Sequence, residues 1–139
     1  MPVKIAFATQ DKKSVDAHFG WAPSIVIYDV SPLASHFVTS IEFGDSLEED
    51  GDEDKLGPKL EAIKDCAILY VAAIGGSAAA RVVALKVHPV KVPEPQDIAV
   101  ILDKLQTVLK GTPPPWLRKA LAKDQERSFD FEEEEVHHD

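Results

Sequence analysis

The sequence predicts a three-layer α/β/α domain around a mixed five-stranded sheet with an antiparallel hairpin near its front. Three features carry that expectation. The run "CAILYVAAIGG", residues 66 to 76, is almost continuously apolar and ends in two glycines, the pattern of a central strand buried on both faces. Two segments rich in β-branched and aromatic residues, "SIVIYDV" at 24 to 30 and "SHFVTSIEF" at 35 to 43, are joined only by "SPLA", which suits a hairpin. Ile98, Ile101, Leu102, Leu105, Val108 and Leu109 recur at helical spacing, so a helix should lie across the sheet.

The remaining elements follow in order. Val3 to Ala8 reads as a buried first strand, and "TQDKKSVDAHFGWAP", residues 9 to 23, as a loop punctuated by Gly20 and Pro23. The hairpin strands come next. "GDSLEEDGDEDK", residues 44 to 55, has no apolar period and reads as a solvated loop, and its acidic spacing does not match a calcium-binding loop. Pro58 suits the first turn of a helix whose face is marked by Leu56, Leu60 and Ile63 through about Lys64. After the central strand, "SAAARVVALK" at 77 to 86 reads as a helix with Ser77 as its N-cap, and "VHPVKV" at 87 to 92 as the strand completing a right-handed βαβ unit. The long helix runs from about Gln96 to Lys110 and stops at Gly111; "WLRKALAKDQ" beyond "TPPP" reads as one further short helix. Residues 1 to 121 are thus expected to form one domain, and 122 to 139 an acidic, disordered tail.

Composition narrows the function classes. The chain of 139 residues is 45% hydrophobic and 28% charged, ordinary for a globular domain. Its formal net charge of -9 argues against nucleic acid and anionic membranes as partners. No apolar run is long enough for a signal peptide or a membrane span, so a cytoplasmic location is expected. Cys66 is the single cysteine, which excludes an internal disulfide and any cage of several thiolates.

In open α/β sheets ligands collect at the carboxyl ends of strands, where two features of this chain converge. The loop after the first strand carries His18, and the turn after the central strand carries Gly75, Gly76 and Ser77. His18 reads either as a solvated loop residue or as a ligand, and inward-folded Phe19 and Trp21 would hold its imidazole at a fixed place. Gly75-Gly76 reads either as a tight turn or as an anion cradle at a helix N-terminus, without the spacing of a P-loop. Arg81 either turns toward the same pocket or covers the sheet edge, and Cys66 reads as a small core residue or a further metal ligand. His88 reads as structural, His36 as solvent-facing, and His137 and His138 as tail residues. No nucleophile elbow, zinc-protease helix or C-x-x-C pair is present, so an enzyme is not expected.

"DAHFGWAPSIVIYDV", "YVAAIGGSAAARVVALKVHPVKV" and "LDKLQTVLKGTPPPWLRKAL" resemble, in order and spacing, the NifX/NafY family of nitrogenase iron-molybdenum cofactor biosynthesis proteins. The similarity covers roughly residues 3 to 121, and the ending "KGTPPPWLRKAL" narrows it to one branch of the family. The resemblance implies a ribonuclease H-like fold and a non-catalytic carrier. Such a carrier receives the iron-sulfur core made by NifB, stores or passes it, and serves the NifEN scaffold. It also implies that His18, at the position matching the family's His-Phe-Gly element, binds the cofactor precursor. A rival is a regulatory or escort protein without bound cluster, and a third reading is a small anion-binding enzyme using Gly75-Gly76.

Overall fold

The computed structural model describes residues 3–43 and 56–121; the expected acidic loop at 44–55 and the tail at 122–139 lie outside the described residues. The strands are β1 (Val3–Thr9), β2 (Ser14–Val15), β3 (Ser24–Val30), β4 (Ser35–Glu42), β5 (Ile68–Val71), β6 (His88–Lys91) and β7 (Gln96–Asp97). The helices are α1 (Leu56–Ile63), α2 (Gly76–Ala84), α3 (Ile98–Lys110) and α4 (115–121).

Five strands form one mixed sheet in the order β4-β3-β1-β5-β6. β3 pairs antiparallel with both β1 and β4, while β5 runs parallel to β1 and β6. This is the expected mixed five-stranded sheet with its hairpin, and its order is compatible with the ribonuclease H-like arrangement. The middle strand, however, is β1 rather than β5: burial on both faces needs only a neighbour on each side, which β5 has in β1 and β6. The hairpin closes where the Ser31 N–H donates to the Ala34 carbonyl at 2.8 Å.

Side-chain alternation explains the three layers. Ile5, Phe7, Ile68 and Tyr70 face α3 and α4, meeting Ile101, Leu102, Leu105 and Leu117. Ala6, Ala8, Leu69 and Val71 face the other way, toward Leu60 and Ile63 of α1 and Ala78 and Val82 of α2. The first layer is fixed by stacking of Phe7 on Tyr70, with centroids 5.3 Å apart, and by an edge contact of Phe7 with Tyr28. Burying a ring such as Phe7 stabilises by roughly 1.5–3 kcal/mol. Burial also pushes the Tyr70 hydroxyl up to about 12.

Two local expectations are corrected. The N-cap of α2 is Gly75, not Ser77, and no side chain caps that end. The chain enters the helix two residues earlier because Gly75 already holds the extended conformation that precedes a helix, at φ -72 and ψ 159. Gly111 is the C-cap of α3, as expected, though not in the left-handed conformation. The loop at 9–23 is also more ordered than its polarity suggested, because Ser14 and Val15 pair with Gln96 and Asp97. A two-residue ladder is too short to leave a period in the sequence.

The end of α2 is a Schellman turn. The Lys86 N–H donates to the Val83 carbonyl at 2.7 Å and the Val87 N–H to that of Val82 at 3.3 Å. Lys86 takes the left-handed position, at φ 67.

Candidate functional site

After β1 the chain leaves the sheet and returns beside the end of β5. The Ala72 N–H donates to the Ala17 carbonyl at 2.9 Å, and the Phe19 N–H donates to the Ala73 carbonyl at 2.9 Å. These bonds make an isolated parallel bridge between His18 and Ala73. A 3-10 turn, Phe19–Trp21, follows at once, with the Trp21 N–H donating to the His18 carbonyl at 3.1 Å. His18 is therefore held at the C-terminal end of the sheet by backbone bonds on both sides, and it is exposed.

The two aromatics of the turn part company. Phe19 is buried in the core on the α1/α2 side of the sheet, as expected, whereas Trp21 is 63% exposed, which corrects the expectation that both fold inward. At three residues per turn, side chains two apart cannot share a face.

His18, Gly20, Trp21, Leu56, Ala73, Ile74, Gly75, Ser77 and Ala78 line one cleft of about 530 Å³. The structure thus brings together His18, Gly75 and Ser77, from opposite ends of the sequence argument. Gly76 is the first residue of α2. The first bond of this helix runs from the Ala79 N–H to the Gly75 carbonyl at 2.8 Å, so the N–H groups of Gly76, Ser77 and Ala78 lie at its open end. That end carries the positive pole of the helix dipole. Neither glycine has a positive φ, and a Cβ added to either would meet nothing within 4 Å. Among the described residues, neither a left-handed φ nor a close contact calls for glycine at these two positions.

Other sequence candidates lie elsewhere. Arg81 is exposed and does not line the cleft, though it sits four residues after Ser77 on the same helix face, with its Cβ tilted back toward the N-terminus. Cys66 is buried in the core at the head of β5, the end of the strand away from the cleft. His88 is on β6, stacked on Trp116, and His36 is exposed on β4. His137 and His138 lie outside the described residues. Among the described residues, no three His, Cys, Asp or Glu side chains are grouped so as to hold a metal ion. Nor is any helix long and apolar enough to cross a membrane.

Sequence reasoning missed Lys59. Its side chain is 0% exposed, its Nζ lies 3.4 Å from the Gly20 carbonyl that it donates to, and it sits 4.7 Å above the Phe43 ring. The signal was present, because Lys59 falls on the stripe marked by Leu56, Leu60 and Ile63. The buried Lys59 side chain lies beneath the 3-10 turn and fixes the Gly20 carbonyl there.

The family model described as "Dinitrogenase iron-molybdenum cofactor" matches residues 1–108. Protein NifX of Herbaspirillum seropedicae is 62% identical over 132 residues, which cover 95% of this chain and 90% of that protein. Protein NifX of Rhodobacter capsulatus is 41% identical over 141 residues, covering 97% and 89%. Among solved structures, the crystal structure of PH0822 superposes with a TM-score of 0.59 at 23% identity, covering 75% of this chain and 88% of that one, and so supports the fold alone.

Proposed function

Since the chain belongs to the dinitrogenase iron-molybdenum cofactor family, we propose that it binds, stores and passes on iron-sulfur precursors of that cofactor, taking them from NifB and delivering them to the NifEN scaffold. The coarse role, nitrogenase iron-molybdenum cofactor biosynthesis, follows from the family. The observation that carries the finer reading is the meeting of His18 with Gly75 and Ser77 around one cleft, beside glycines that the fold itself does not require.

The precursor is cargo, and each residue has a task toward it. The exposed imidazole of His18 offers one metal ligand. The open N–H groups of Gly76, Ser77 and Ala78, together with the helix dipole, face the negative charge of the cluster. Gly75 leaves room for close approach of a bulky cargo. Arg81, one turn along from Ser77, extends the positive surface. Lys59 holds the Gly20 carbonyl in place beneath the cleft. Clusters held permanently are locked by several thiolates, whereas one imidazole and a polar cradle release their load readily. That difference suits a carrier rather than an electron-transfer protein or an enzyme.

Anaerobic titration of the full chain with isolated precursor cluster tests the reading. A carrier takes up iron and turns brown, and gel filtration with NifEN then moves the iron to the scaffold. A chain that stays colourless is instead an escort or regulatory protein, and the carrier reading falls.

A further inference from the structure

A second hollow, of about 580 Å³, opens at the outer edge of the sheet, where among the described residues no strand lies beyond β6. Val83 and Lys86 from the end of α2, His88 from β6, and Trp116 and Lys119 from α4 line it. The Trp116 indole stacks on the His88 imidazole, with centroids 4.7 Å apart and planes 21° apart, yet Trp116 remains 38% exposed. Trp116 also lines a neighbouring hollow of about 310 Å³ that carries Lys91 and Lys104. The indole therefore stands between two basic pockets. Among the described residues no carboxylate lines either one, although the chain as a whole has a formal charge of -9.

Lys86 gives this arrangement a physical mark. It holds the left-handed position of the Schellman turn at φ 67, where glycine fits without strain and a side chain does not. A lysine at that position costs the fold conformational energy and puts an ammonium in the hollow. The backbone of the edge, by contrast, is poorly suited to adding a strand. The His88 and Val92 N–H groups donate inward, to Ala67 and Val71, so the outward positions are Pro89 and Lys91, and proline has no N–H to offer. Recognition at this edge falls to side chains.

The geometry points to a docking surface for an extended acidic segment of a partner protein. Its carboxylates would meet Lys86 and Lys119 on one side of Trp116 and Lys91 and Lys104 on the other, with an apolar side chain lying on the indole and the exposed Val83. Two basic hollows flanking one indole suit a chain with spaced charges better than a single small anion. The surface is independent of the cargo reading. It runs along β6 from His88, opposite Ile68, to Lys91, opposite Val71, and neither of its hollows shares a lining residue with the His18 cleft. Both can be occupied together.

Fluorescence anisotropy with a short dye-labelled Glu/Leu peptide tests the proposal, using a Lys/Leu peptide as control. The full chain should bind only the acidic peptide, more weakly as salt rises. Trp116→Ala and Lys119→Glu should each weaken binding about tenfold or more. Lys86→Gly is the decisive variant: it relieves the backbone, so the melting temperature should hold or rise while peptide affinity drops. No binding by the full chain, or binding indifferent to Lys86→Gly and Lys119→Glu, overturns the proposal. So does displacement of the peptide by millimolar phosphate, which would mark a small-anion pocket. Binding seen only after removal of residues 130–139 also overturns it, because the chain's own acidic run would then be the occupant.

Discussion

The Phe19 N–H donates to the carbonyl of Ala73 at 2.9 Å, and this bond ties the His18 loop to the turn that carries Gly75. Because the backbone makes the tie, the imidazole of His18 is positioned without being used. His18→Ala should therefore leave the fold within about 0.5 kcal/mol of wild type, as exposed substitutions do. Precursor binding should fall sharply, because the variant loses the exposed imidazole in the cleft. Anaerobic iron uptake and circular dichroism on both proteins check this; a folded variant that loads as well as wild type removes His18 from the site.

Gly75 caps α2 without a side chain, and a Cβ there has open space. Gly75→Ser adds a side chain suited to the N-cap and should hold stability or raise it by roughly a few tenths of a kcal/mol. The same side chain narrows the cleft, so cargo affinity should drop. Equal affinity in a variant melting no lower than wild type would show that no ligand approaches Gly75.

Much of the fold was legible because its signals are periodic. The apolar run ending in Gly75-Gly76 marks β5 as an interior strand, though the middle place belongs to β1, and the four-residue "SPLA" link marks the β3–β4 hairpin. The site was legible only in part. Its two halves could be named from position alone, at the ends of β1 and β5, but their meeting rests on the backbone bonds of residues 17–19 with 72–73, which leave no pattern in residue type. The exposure of Trp21 was illegible for a related reason, since a single 3-10 turn decides which aromatic enters the core. Lys59 was overlooked because lysine on a helix normally reads as surface, although its place on the apolar stripe says otherwise.

Leu105 sits in the core between α3 and the sheet and is buried. Leu105→Ala should cost on the order of 2–5 kcal/mol, the range for a cavity left in a close-packed core. Denaturant melts measure it, and a loss below roughly 0.5 kcal/mol would show that the stripe does not pack as described.

Lys59 is joined to the cleft through the Gly20 carbonyl. Lys59→Ala leaves that acceptor without its donor and opens a void under the turn, so stability should fall by roughly 1–3 kcal/mol. Lys59→Arg keeps a donor and a charge and should recover part of both stability and cargo affinity. If alanine and arginine behave alike in melts and in iron uptake, the ammonium is not what fixes Gly20.

Burial, with a smaller contribution from the Lys119 ammonium, holds the His88 imidazole below the usual histidine range. The native state therefore favours the neutral ring, and the unfolded chain takes up its proton first as pH falls. Stability tied to His88 is complete above the ordinary value of about 6.5 and declines as pH drops from there through the lower folded-state value. The carboxylates whose protonation would also destabilise the fold act at lower pH. Glu42 is held down to about 2 by Lys12, Ser24 and Ser40, and Asp11 is lowered by the backbone N–H groups of Lys13 and Ser14. The window between about pH 7 and 5.5 thus isolates the imidazole. Melting temperature should decline across it, and His88→Gln, which cannot titrate, should give a flatter profile whatever its absolute stability. Parallel profiles for the two proteins would show that His88 protonates as readily in the folded chain as in the unfolded one, and would place its ring in water rather than beneath Trp116.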